Sequence, residues 1–116
     1  MKVAHYTDAA EKVFSGEGVS GVTGRVAVGR ADGADRFCMR VFELAEGGYT
    51  PRHAHDWEHE IFVHAGGGEV LRDGQWVPIH PGYALFIPGG EEHQIRNAGA
   101  EPFVFVCLIP AGPPEL

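Results

Sequence analysis

The chain has 116 residues, 44% of them apolar and 22% charged, and a formal net charge of −7. That length holds one domain around a single core, with the composition of a globular protein rather than a disordered or fibrous one. The acidic balance and the scattered basic residues argue against nucleic acid or an anionic membrane as partner, and no apolar run approaches the roughly 20 residues that a membrane-spanning helix needs.

The opening stretch, MKVAHYTDAAEKVF, has no apolar core followed by a cleavage site. No export signal is read there, and a cytoplasmic location is expected. Residues 1–18 read as an N-terminal arm. Within it Asp8 to Phe14 looks helical, with Asp8 as N-cap and Val13-Phe14 as the apolar end. The two cysteines, Cys38 and Cys107, set no disulfide framework. A reducing compartment is the default, and a single bridge between the two stays open.

After the arm, 17 glycines and 8 prolines punctuate runs of β-branched and aromatic residues. Turn signals at such short intervals predict an all-β sandwich or barrel. Strands are expected at Val22–Val28, Phe37–Leu44, Glu60–His64, Glu69–Arg72, Gln75–Pro78, Ala84–Ile87, His93–Asn97 and Phe103–Ile109. Asp73-Gly74 is a two-residue hairpin signal, because both residues tolerate positive φ. Pro88-Gly89-Gly90 breaks the run ALFI and turns the chain toward His93. Gly66-Gly67-Gly68 separates two strands. A phosphate-binding loop is the wrong reading there, since no Lys-Ser/Thr and no helix pattern follow. The proline-rich tail, residues 110–116, suits neither strand nor helix and is expected along the surface.

The chemistry concentrates between Gly47 and Gly67, in GGYTPRHAHDWEHEIFVHAGG. His53 and His55 are two apart, so in an extended strand both imidazoles share a face. A turn at Asp56-Trp57 then lets His59 come back beside them. Three imidazoles meeting at a point is what a divalent transition metal needs, since neutral histidine is its common ligand. His5, His64 and His80 are read as outside the site, and Trp57 as a packing residue at the turn.

Two spaced patterns complete this picture: Gly47-x5-His53-x-His55-x3-His59-Glu60-x6-Gly67, and Gly82-x5-Pro88-x-Gly90-x2-His93-x3-Asn97. In order and spacing they resemble the two motifs of the cupin superfamily, with motif 1 at 47–67 and motif 2 at 82–97. The resemblance implies a single cupin domain over 1–116, folded as a double-stranded β-helix, the jelly-roll barrel. The WEHE phrase resembles the small manganese- or iron-type cupins with four histidine ligands. That implies His53, His55, His59 and His93 as ligands of one divalent ion, with manganese or iron favoured over nickel, copper or zinc. In the family's majority pattern a glutamate is the third ligand, and Glu60 would fill that slot. Adjacent strand residues face opposite ways, so His59 and Glu60 exclude each other. His59 is favoured, because Ile61 and Val63 go inward with it, whereas Glu60 would bring in His64.

The function that the resemblance implies is a small oxygenase or oxidoreductase acting on a small organic substrate. A metal-dependent isomerase or lyase using the ion as Lewis acid and a non-enzymatic binding or sensing module are the alternatives. Alternation in FVFVCLI groups Phe105 and Cys107 with Phe103 and Ile109 on a face expected to line the pocket, though an inert buried thiol is an equal reading for Cys107. Arg40 shares a face with Cys38, Phe42 and Leu44. If that face is internal, Arg40 can clamp a substrate carboxylate; if Met39 and Val41 face inward, Arg40 is solvated. Exposed strand edges make a homodimer the expected assembly.

Overall fold

The computed structural model describes residues 1–116 as nine strands and two single-turn 3-10 helices. The strands are β1 (Glu11–Gly16), β2 (Val19–Val28), β3 (Phe37–Tyr49), β4 (His59–Ala65), β5 (Gly68–Arg72), β6 (Gln75–Ile79), β7 (Ala84–Ile87), β8 (Ile95–Asn97) and β9 (Phe103–Pro110). All pairings are antiparallel, and the sheet curls through the order β6-β5-β8-β3-β9-β4-β7, with β2 on β3 and β1 on β2. This is the all-β, curled single domain that the glycine and proline rhythm predicts.

β3 is the longest strand, and it turns the sheet. Its first half pairs with β9, from Phe37 opposite Pro110 to Leu44 opposite Phe103, while Tyr49 at its end pairs with Arg96 of β8. One strand thereby belongs to both halves of the curl. Alternation buries Cys38, Arg40 and Leu44 of β3, Ile61 and Val63 of β4, and Phe103, Phe105, Cys107 and Ile109 of β9. Their partners across the curl are Val70, Ile79, Ile87 and Ile95.

The hairpin at Asp73-Gly74 has φ of 51° and 75°, the positive pair that a type I′ turn requires. Gly68 is fixed for a different reason. A Cβ there would run into the Phe103 ring and lie 2.7 Å from the Arg96 carbonyl oxygen, so only glycine lets β5 close over the core.

The structure corrects the reading of the arm. Asp8 to Phe14 is not a helix: Tyr6–Asp8 makes a single 3-10 turn, and Glu11–Gly16 is a strand hydrogen-bonded to β2, with only Phe14 turned inward. The turn at Gly16-Glu17-Gly18, with φ of 127° and 79° at its glycines, is what returns the chain as β2. The tail lies along the surface as expected, with no residue of 110–116 buried, and it also makes specific contacts. Pro114 and Leu116 form part of the wall of the main cavity, and Glu115 accepts a hydrogen bond from the Arg30 amide at 2.8 Å. The two cysteines are free thiols.

Candidate metal centre

The segment before β4 and the segment before β8 run side by side at the mouth of the curl. His53 and His93 form an isolated antiparallel bridge, exchanging N–H to carbonyl bonds of 3.1 and 2.9 Å. The exchange fixes the two residues directly opposite each other. A second tie comes from the turn after β7, where the Gly90 amide donates to the His55 carbonyl at 2.6 Å. A Cβ on Gly89 would strike the Asp56 carbonyl, so this approach also needs glycine. The first residue of β4, His59, faces inward on the same side as Ile61 and Val63.

The result is a cluster in which one ring nitrogen from each of His53, His55, His59 and His93 lies within 4.8 Å of the others. His59 and His93 are buried, His55 half-buried and His53 exposed, so the cluster opens toward the mouth. Glu60 is exposed on the opposite face of β4 and belongs to no such cluster. Of the two exclusive choices for the third position, the structure brings His59 to the site. His64 and His80 are exposed elsewhere on the surface, as is His5.

The donor set fits a transition-metal ion. His55 Nδ1 donates to the Trp57 carbonyl and His93 Nδ1 to the Glu91 carbonyl, each at 2.9 Å. A ring whose Nδ1 carries the proton keeps its Nε2 lone pair free, and backbone carbonyls commonly orient histidine ligands in this way. Burial lowers the proton affinity of His53, His55 and His59; for His59 it falls to about 3, with the Arg40 charge the next contribution. Imidazoles that stay neutral into mild acid are ready to ligate.

Trp57 lies flat on His55, ring centroids 4.1 Å apart at 7°, and so holds a cluster ring as well as packing the turn. Nothing in the sequence pattern marks this contact, nor the carbonyls of Trp57 and Glu91, because backbone acceptors leave no compositional trace. Asn97 ties its own turn, donating to the carbonyls of Leu44 and Glu101 at 3.0 and 2.8 Å.

Beside the cluster is a cavity of about 280 Å³. Phe42, Trp57, Phe105 and Ile95 make its apolar wall, with Arg40 and Cys107 on the β3–β9 side. The register that pairs Arg40 with Cys107 places both beside His59: Arg40 Nη2 lies 2.9 Å from Cys107 Sγ and 3.3 Å from His59 Nδ1. The open choice for β3 is thus resolved with Arg40 inside. Burial raises the Cys107 thiol above its ordinary value, the Arg40 charge opposing it.

Comparison with known proteins places this arrangement in a family. The polyketide cyclase RemF from Streptomyces resistomycificus superposes with a TM-score of 0.91 at 36% identity, covering 98% of this chain and 82% of that one. A predicted oxalate decarboxylase from Thermotoga maritima superposes at 0.82 with 26% identity, over 94% of this chain and 98% of the other. Among curated relatives, the glucose-6-phosphate isomerase of Thermococcus gammatolerans is 37% identical over 49 residues, which are 39% of this chain and 26% of that enzyme. The match thus spans about a quarter of that isomerase's length. Residues 40–109 match the family profile of the cupin domain, a range that takes in all four histidines of the cluster, and the chain belongs to that family.

Proposed function

We propose that this cupin is a metal-dependent enzyme of the cyclase type, acting without net oxidation on a flat, oxygen-rich substrate of the polyketide kind. The donor set carries the reading: four neutral imidazoles, with no carboxylate among them. An ion held by His53, His55, His59 and His93 keeps its full positive charge and supplies Lewis acidity to a substrate oxygen. Imidazole donors suit zinc, iron, nickel and copper; manganese and iron are the ions the resemblance favours.

The rest falls to the protein. Phe42, Phe105 and Trp57 offer flat faces against which a planar substrate packs, and the same wall keeps water from the reacting groups. No Asp or Glu lines the cavity. A substrate whose C–H bonds lie between two carbonyls is itself acidic and needs little from such a base, which suits a condensation that closes a ring. The likeness to RemF over nearly the whole chain supports this choice above the other chemistries of the family.

The test is cyclisation of a synthetic poly-β-ketone by zinc-loaded protein under argon. Ring closure that proceeds equally without dioxygen is the expected result. A strict need for dioxygen and a redox-active metal would instead establish the oxygenase expected from the sequence, which the phenylalanine-rich wall also suits. The oxalate-binding protein of Thermotoga maritima, 35% identical over 68 residues that are 58% of this chain and 56% of that protein, supports a third reading as a binding module. Tight binding with no turnover under any metal would select it.

A further inference from the structure

Arg40 is the only Lys, Arg, Asp or Glu side chain lining the cavity, and no carboxylate lies within ion-pair distance of it. It is 8% exposed, and no ion pair of the protein includes it. Its Nη2 serves neutral partners, Cys107 Sγ at 2.9 Å and His59 Nδ1 at 3.3 Å. Its Nη1 reaches only the Glu115 carbonyl of the tail, at 3.4 Å, and its Nε has no partner at all. The guanidinium also rests over Phe42, 4.9 Å from the ring centre.

A buried cation is costly unless it is paired and fully hydrogen-bonded. The 3.4 Å contact is well beyond the 2.7–2.9 Å of a charge-assisted bond. The cost grows when an ion occupies the neighbouring cluster, since four neutral imidazoles cancel none of its charge. We infer that the cavity receives an anionic guest, an apolar skeleton bearing one ionised oxygen acid such as a carboxylate or acidic enol, and that Arg40 takes this group where the Glu115 carbonyl now sits. The inference rests on reading the cavity as a substrate site, and it narrows the substrate class to acids.

The experiment uses the metal-stripped protein at pH 8, with Arg40 the one guanidinium at the cavity. Titration calorimetry compares 2-naphthoate with 2-naphthamide, which have the same skeleton with and without the charge. Naphthoate is expected to bind roughly tenfold tighter, the worth of one charge-assisted bond. Arg40→Gln should bring naphthoate down to the amide's level while the protein still melts cooperatively. Equal affinities in the wild type, no measurable naphthoate binding, or a preference that survives R40Q would each overturn the inference. Should R40Q fail to fold, the wild-type ratio of acid to amide decides. Naphthoate held through Arg40 by a protein that cyclises nothing would retire the cyclase reading alone.

Discussion

Strands β3, β4 and β9 each run from one end of the curl to the other, and their two ends have opposite character. At the closed end Leu44, Val63 and Phe103 are fully buried in the apolar cluster. At the open end, a few residues along the same strands, the inward positions are Arg40, His59 and Cys107. The alternation that hides apolar side chains at one end delivers polar ones to a cavity at the other. The closed end therefore supplies rigidity and the open end chemistry, and a substitution should disturb one without the other.

The largest separation is expected from His93→Ala. It removes one nitrogen donor, so metal affinity should fall by more than the roughly 10–100-fold that losing an outer partner of a ligand costs. The melting temperature of the metal-free protein should hardly move; competition with a chelator and calorimetry read the two quantities. Phe103→Ala is the mirror experiment. Loss of a fully buried ring should cost about 3–5 kcal/mol in urea unfolding, while metal stoichiometry in the surviving folded fraction stays at the wild-type value.

Acid should find the open end first. The folded His59 imidazole is lowered from its ordinary 6.5 to about 3, and His53 and His55 are lowered too. Above pH 6.5 these rings are neutral folded or unfolded and contribute no pH dependence. Below it the unfolded chain takes up protons that the fold refuses, so the stability of metal-free protein should fall as pH drops from 6.5 toward 3. His59→Gln should flatten that slope in denaturation curves at pH 7.5 and 4.5. The smallest effect is expected from Glu60→Gln. That side chain is exposed on the far face of β4, so metal affinity should be unchanged and stability altered by less than about 0.5 kcal/mol. A marked loss of metal would reinstate glutamate as the third donor.

The sequence made much of the closed end and of β4 legible. Alternation through His59, Ile61 and Val63 sufficed to set the register, because an inward Glu60 would have carried His64 into the core. The Asp73-Gly74 turn was equally plain. β1 was not, since only Phe14 of its six residues turns inward and a strand hydrogen-bonded on one side needs no alternating pattern. Arg40 stayed undecided for a physical reason. Val41 is buried as well, so both faces of β3 are apolar at that point and the period carries no sign. The place of Leu116 in the cavity wall depends on how the proline-rich tail folds back, which no local pattern encodes.

One contact within the histidine cluster bears on the proton of His59. Arg40 can only donate, so His59 accepts on Nδ1 and keeps its proton on Nε2, from where it bonds to the Nε2 of His55 at 2.8 Å. The two rings thus hold each other through the nitrogens that would face an ion. An ion held between these two rings would replace that bond and leave the His59 proton on Nδ1, where the Cys107 sulfur, 3.2 Å away, can accept a hydrogen bond from it once Arg40 turns its own donor to another acceptor.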